Sequence, residues 1–261
     1  MIDLISAITW EVQKEIPIIG NFAIRWYGLL FAMGFIVGYQ IMNKIYKAEG
    51  KTQRELDSLA ITMVIATIVG ARLGHCFFYD PAYYLANPLK IIKVWEGGLA
   101  SHGAAIGIIT ALWIHTKGNA RVGFMWILDR IVIVVALAGF FIRIGNFVNS
   151  EIFGKPTDVP WAVIFTEIDN IPRHPVQLYE SFSYLAVFVF LYYLYNKNKG
   201  KFNSGLIFGW FLTLVFGARI IWELFKEHQA KFMEGLPFDM GLLLSIPFVA
   251  IGIYFLIKAR K

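Results

Sequence analysis

Residues 124–141 read FMWILDRIVIVVALAGFF, an apolar run whose only charged members are Asp129 and Arg130, near its start. An α-helix rises about 1.5 Å per residue, so about 20 such residues reach across the hydrocarbon core of a bilayer. The run therefore reads as a membrane-spanning helix, and the rest of the chain repeats the pattern. Further spans are expected at Phe22–Met42, Leu59–Tyr79, Leu99–His115, Ser181–Tyr195, Gly205–Phe225 and Met240–Ile257, those at Leu99 and Ser181 being short. Polar breaks rich in Lys, Asn, Gly and Pro separate them. The predicted fold is all-α, a polytopic membrane helical bundle of about seven transmembrane helices. Residues 1–261 form a single integral membrane domain, with no internal repeat and no low-complexity segment.

Composition points the same way. Of the 261 residues, 57% are hydrophobic and 16% charged, and the mean hydropathy is +0.59. An ordinary soluble domain is roughly 45–50% apolar and about 25% charged. The net charge of +6 would suit nucleic acid in a polar chain. In one this apolar it indicates basic loops attracted to anionic lipid, and no nucleic-acid partner is expected. The lone cysteine, Cys76, excludes an internal disulfide and a Cys-rich metal site. One position from His75 on a helix, it reads as packing. The first residues, MIDLISAITWEVQKEIP, lack the basic start and clean apolar core of a signal peptide. Residues 1–20 are expected to form an interfacial arm.

The loops alternate in basic content. One set carries Lys44, Lys47, Lys51 and Arg54, then Lys117 and Arg121, then Lys197, Lys199 and Lys201, then Lys258, Arg260 and Lys261. The other carries Lys14, then Lys90 and Lys93, then Lys155 and Arg173, then Lys226 and Lys231. The first set is richer, so the positive-inside rule places it in the cytoplasm, with the N-terminus outside and the C-terminus cytoplasmic. The longest loop, residues 144–177, then falls outside. Its apolar run Trp161–Phe165 argues for a small folded periplasmic cap.

Ionisable groups within spans are costly and usually functional. Arg72, Arg143 and Arg219 lie late in outward-running spans, while Tyr27 and His102 lie early in inward-running ones. All five are expected on the outer side. Guanidinium groups suit a phosphate, since each presents a planar fork of donors that stays charged. Glu223, four residues after Arg219, shares its helix face and is expected to hold it. His102, in a glycine-bearing stretch from Glu96 to Gly103, is a candidate general base, and the start of its helix offers free N–H groups. Simpler readings exist for each group alone. A single arginine near a helix end often snorkels, His75 and His115 read as structural hydrogen-bonders, and Asp129 with Arg130 reads as an inner ion pair. Trp10, Trp26 and Trp95 read as interfacial anchors. Clustering on one side favours an enzyme acting on a phosphate. It disfavours a transporter or anion channel, whose pathway would carry polar groups through the inner half. A phospholipase or phosphotransferase would need a serine, aspartate or metal cluster beside the arginines, and the sequence offers none. A structural scaffold explains neither the cluster nor the cap.

The residues also carry a resemblance. The run Gly139-Phe-Phe-Ile-Arg143-Ile-Gly145-Asn146-Phe147-Val148-Asn149-Ser-Glu151-Ile-Phe-Gly154 closely resembles the signature of the prolipoprotein diacylglyceryl transferase family. Arg25-Trp-Tyr27-Gly28, Gly70-Ala-Arg72-Leu-Gly74, Glu96-Gly-Gly98 with Ser101-His102-Gly103, Arg173-His174-Pro175-Val-Gln177-Leu-Tyr179-Glu180 and Arg219-Ile-Ile-Trp-Glu223 follow in family order. Together they extend from the first span to the sixth.

The resemblance implies a bacterial inner-membrane transferase. It would move the diacylglyceryl group of phosphatidylglycerol to the lipobox cysteine thiol of a prolipoprotein signal peptide, the first step of lipoprotein maturation. The product is a thioether, and glycerol 1-phosphate leaves; no metal or cofactor is implied. His102, Arg143 and Arg219 match the family's catalytic positions, His102 as candidate base and the arginines at the lipid phosphate. Tyr27, Arg72, Asn146, Glu151, Gly154 and Glu223 match its substrate-binding positions. The chain departs from the pattern at His102-Gly103-Ala104, where the family often has two glycines after the histidine. It departs again at Val215, where the family often has an aromatic residue four before the last arginine. The first leaves the histidine intact; the second puts in doubt a hydroxyl at that place.

Overall fold

The computed structural model describes residues 7–19, 22–118, 122–227 and 240–260. Residues 1–6 and 20 of the expected arm, with Arg121, Lys231 and Lys261 of the loop charges, lie outside these. Three strands open the chain: β1 (Ile8–Trp10), β2 (Glu15–Ile19) and β3 (Phe22–Arg25). Helices α1 (Trp26–Ala48), α2 (Gln53–Phe78), α3 (Pro81–Ala86), α4 (Ser101–Gly118) and α5 (Phe124–Val148) follow. Then come β4 (Val163–Phe165), β5 (Pro172–Arg173), α6 (Val176–Lys197), α7 (Leu206–Glu223) and α8 (Met240–Ala259). Every expected span contains a helix. Among the described residues, six are long and apolar enough to cross a membrane: α1, α2, α5, α6, α7 and α8. The protein is thus a polytopic helical membrane protein. Helix α4, which carries His102, His115 and Lys117, falls outside that group.

Several boundaries differ from expectation, for one physical reason. Counting apolar residues finds the stretch that lipid requires, not the stretch that is helical. Helix α5 runs on through Arg143 and Asn146 to Val148, so the first residues of the expected loop are helical. Helix α6 starts at Val176, ahead of its apolar run. Helix α2 starts at Gln53 in a polar turn closed by a capping box, in which Thr52 Oγ1 accepts from Glu55 N–H and Glu55 Oε2 accepts from Thr52 N–H. Conversely, Phe22–Arg25 is a strand, not helix.

The chain divides into two compact units, Met1–Met42 with Leu128–Lys261, and Asn43–Ile127. In the second unit, α2 and α4 meet along glycines. A Cβ on Gly74 would come within 2.5 Å of Gly103 Cα, and one on Gly70 within 2.6 Å of Gly103 O. Small residues of this kind let helices in lipid gain contact that a hydrophobic effect cannot supply there. Ala100 N–H also donates to Ala71 O at 2.9 Å, fixing the start of α4 against α2.

In the first unit, α7 packs on α8 at Gly209 and Gly252. Asp129 caps α7, its carboxylate accepting from Gly205 N–H (2.7 Å) and Phe208 N–H (2.9 Å). Arg130 donates to Gly200 O and lies over the Phe202 ring.

The cap contains strands that an all-α reading omits. Strand β1 pairs in parallel with β4, and β4 pairs antiparallel with β5, while β2 and β3 form a hairpin. Phe147, Val163 and Phe165 form a buried core beneath Trp10, Phe153 and Leu178. Trp10, expected as an interfacial anchor, lies 4.3 Å from Phe147 between ring centroids and belongs to this core. Arg173 straps the cap with ion pairs to Asp169 (2.6 Å) and Glu227 (3.0 Å). The Arg173 hydrogen bonds hold the Asp169 carboxyl below its ordinary range.

Two outcomes follow. Gly103→Ala would press its methyl into Gly70 O, and overpacking of this kind costs about 1–3 kcal/mol, read as a lower unfolding temperature in detergent. Asp169 has a depressed folded-state value, so its contribution is present above the unfolded aspartate value near 4 and is lost as pH falls through the lower folded one. Protease cleavage within residues 155–173 should rise on acidification below about pH 4, and Asp169→Asn should cleave at neutral pH as readily as the parent does in acid.

Candidate active site

The end of α5 carries Arg143 and Asn146, three residues apart on one face, and Asn149 follows just past the helix. Arg143 Nη1 donates to Asn146 Oδ1 at 3.2 Å, and Asn146 Nδ2 donates to Glu151 Oε2 at 3.1 Å. Asn149 Nδ2 reaches the other Glu151 oxygen at 3.2 Å. For Glu151 to fold back, the chain must reverse at once after the helix. It does so with Ser150 and Ile152 both at φ 57°, and left-handed backbone is costly for a β-branched residue. Gln177 Nε2 secures the turn by donating to Glu151 O at 2.7 Å. Strain held by fixed contacts is a mark of functional sites.

Two glycines make room around this turn. A Cβ on Gly145 would meet the Tyr27 ring at 2.8 Å, so its absence lets Tyr27 lie on α5 within electrostatic range of Arg143 and Glu151. A Cβ on Gly154 would meet His174 O at 2.5 Å and Val176 Cγ2 at 2.6 Å. Gly154 N–H donates to His174 O, and its neighbours pair with the end of α7: Lys155 N–H to Phe225 O (2.8 Å) and Glu227 N–H to Phe153 O (3.2 Å). Gly154 therefore docks the cap between α6 and α7.

Behind Arg143 lies a chain of alternating charge. Glu180, with no exposed surface, meets Arg143 Nε at 2.8 Å and accepts from Lys226 Nζ at 2.9 Å. Lys226, 3% exposed, also donates to Glu223 at 2.8 Å. Glu223 was expected to hold Arg219; it holds Lys226. Arg219 Nε is buried without a hydrogen-bond partner among the described residues. Sequence reasoning treated Lys226 as a loop charge and gave Glu180 no role. The available signal was the spacing of Glu223 and Lys226, three apart, with a second carboxylate in the Arg173–Glu180 motif.

Arg72 and His102 belong to the second unit. Arg72 is buried and makes four contacts to backbone oxygens: Nε to Ile91 O (2.9 Å), Nη2 to Lys90 O (2.5 Å), and Nη1 to Gly97 O and Gly98 O. It clamps the segment leading into α4. His102, second residue of α4, is exposed and stands between rings, with Phe78 edge-on at 5.3 Å and Tyr79 stacked at 5.7 Å. Tyr79 stacks in turn on His75 at 5.4 Å. The structure thus gathers Tyr27, Arg143, Asn146, Glu151 and Gly154 in the first unit, with Glu223 joined to Arg143 through Lys226 and Glu180.

The sequence profile of prolipoprotein diacylglyceryl transferase matches residues 15–258. A phosphatidylglycerol–prolipoprotein diacylglyceryl transferase of Tolumonas auensis is 49% identical over 252 residues, covering 97% of each chain. Those of Chloroherpeton thalassium and Porphyromonas gingivalis are 46% and 45% identical, covering 99% and 97% of this chain and 97% and 95% of their own.

Replacing Glu180 by Gln takes the buried counter-charge from Arg143 and leaves Lys226 with Glu223 alone. Loss of one partner of a buried pair costs about 3–5 kcal/mol. Glu180→Gln should lower the unfolding temperature more than Lys226→Met does, and the double variant should lose less than the two singles added together.

Proposed function

The chain belongs to the prolipoprotein diacylglyceryl transferase family, and from that premise we propose that it transfers the diacylglyceryl group of phosphatidylglycerol to a prolipoprotein, at the thiol of its lipobox cysteine. The bond between glyceryl carbon and phosphate oxygen breaks, a carbon–sulfur bond forms, and glycerol 1-phosphate leaves. The observation that carries this reading is the unequal state of two arginines in one unit. Arg143 is held by Glu180 and Asn146, whereas Arg219 Nε is buried without a hydrogen-bond partner among the described residues. A buried donor left unpaired is expensive, and a lipid phosphate would satisfy it.

Charge grows on the departing phosphate oxygen as the bond breaks. Fixed cationic donors in a dry site stabilise that charge without having to reorganise. Arg143 and Arg219 take this part. The glutamate–lysine chain behind Arg143 fixes its Nε edge, so the outer edge of its fork faces the substrate. Tyr27, Asn146 and Glu151 bound the site, Gly154 docks the cap over it, and Glu223 secures Lys226. The thiolate is the attacking species, and His102, exposed and stacked on Tyr79, is the group to accept the thiol proton. Arg72 fixes, through its carbonyl contacts, the segment from which α4 and His102 begin.

In this reading α4 is a seventh span, the N-terminus and cap face the periplasm, the C-terminus faces the cytoplasm, and the protein resides in the bacterial inner membrane. The alternating basic loops support that orientation. Both substrates then present their reacting groups at the outer leaflet.

The test mixes the purified protein with phosphatidylglycerol and a lipobox peptide and follows peptide mass. A diacylglyceryl gain on cysteine with release of glycerol phosphate is expected. Arg143→Ala should cut turnover about 10²–10³-fold, and His102→Gln about 10²–10⁴-fold with lipid binding kept. No mass gain from folded protein would overturn the reading, and normal turnover in His102→Gln would sink the base assignment.

A further inference from the structure

Among the described residues, the His102 side chain meets rings and no hydrogen-bond partner. Phe78, the last residue of α2, stands edge-on to the imidazole at 82°, and Tyr79 lies within 29° of parallel to it, their centroids 5.3 and 5.7 Å away. Glu96, the carboxylate of the segment leading into α4, pairs instead with Lys90 (3.2 Å) and Lys93 (3.5 Å). The stack continues back into the same unit. His75, one turn before Tyr79, lies against the phenol at 5.4 Å and 17°. Tyr84 of α3 stands edge-on to His75 at 5.9 Å and 78°, and the Arg72 guanidinium lies 5.1 Å from the Tyr84 ring centre. Gly98 closes the other side: at φ 72°, a Cβ there would come within 2.5 Å of His75 Cδ2. The exposed imidazole is thus linked, through Tyr79, His75 and Tyr84 in turn, to an arginine that is 3% exposed and held by backbone carbonyls.

A base is effective only when its orientation is fixed, and a third group commonly does this. An imidazole takes a proton through a lone pair in the plane of its ring. A partner stacked on the ring face sets that plane and leaves both nitrogens free, whereas a hydrogen-bonded carboxylate would occupy one of them. Parallel and edge-on arrangements are those the ring quadrupoles favour, so Tyr79 and Phe78 together define one orientation. We propose that Tyr79 is the positioning residue of His102: its ring, backed by His75, holds the imidazole in the plane from which it takes the thiol proton. This rests on the reading of His102 as the base and extends it to a residue outside the family motifs quoted above. It also gives the buried Arg72 a consequence at the surface, since the stack that ends at His102 starts on the ring that Arg72 covers.

Tyr79 is 65% exposed, so Tyr79→Leu removes the stack without opening a core. With phosphatidylglycerol and a lipobox peptide, kcat should fall about tenfold, with both KM values and the unfolding temperature unchanged. Tyr79→Phe keeps the ring and should restore most of the turnover. Parental kcat in Tyr79→Leu would overturn the assignment, and so would an equal loss in Tyr79→Phe, which would give the role to the hydroxyl. A raised KM with kcat kept, or a lowered unfolding temperature, would mark an interfacial anchor or a packing residue and overturn it as well. A second readout needs no turnover. In protein carrying ¹³C-labelled histidine, the His102 ring signal, identified by its loss in His102→Gln, should move downfield in Tyr79→Leu and stay in place in Tyr79→Phe, because the phenol's ring current is removed only in the first. If the unsubstituted enzyme transfers nothing, or His102→Gln transfers normally, the base reading itself fails. The spectrum then decides the stack, a signal unmoved by Tyr79→Leu overturning it.

Discussion

Cations meet both oxygens of Glu180, a carboxylate with no contact to solvent. Arg143 comes from α5, Lys226 from just beyond α7, and Glu180 from α6, so three helices are tied at one point. The net stability of such a buried pair is modest, because desolvation offsets most of the attraction. Its effect is on geometry. With one edge of the Arg143 fork fixed by Glu180 and one nitrogen turned to Asn146, the side chain has few ways left to point. Lys226 carries the same constraint outward to Glu223 and to the strap that docks residues 153–155.

The helical membrane architecture was legible because lipid imposes a crude demand, about 20 apolar residues in a row. Arg143 stood out because charge at such depth is costly, whereas Asn146 and Glu151 stood out through the resemblance alone. Partners were harder to read. Glu223 looked matched to Arg219 by helical spacing, yet Lys226, one turn further, competes for it and sits more deeply. Exposure decides such contests, and exposure depends on what the rest of the chain packs against. Arg72 illustrates the same limit. Its cost was visible, but the backbone oxygens that meet it come from residues 90–98, and no side-chain pattern announces a carbonyl. The strands were hidden for another reason: they are two to five residues long and owe their existence to partners remote in sequence.

The glycines divide into two kinds. Those of the α2–α4 seam replace side-chain packing by backbone contact, which is how helices gain cohesion where the solvent is itself apolar. Gly139, Gly145 and Gly154 admit a specific neighbour: Tyr184, Tyr27 and the His174–Val176 segment. The second kind shapes chemistry, since each brings an aromatic ring or a chain segment to the polar end of α5.

The parallel pairing of β1 with β4 joins Ile8 to Val163. During synthesis at about 5–20 residues per second, the N-terminal strand waits roughly 10–30 seconds for its partner. Through that interval Trp10 has no Phe147 to cover it, and several helices must enter the membrane first. The cap thus draws on the chain's earliest residues only after α1 to α5 have been made, and its closure signals that those helices have been delivered in order.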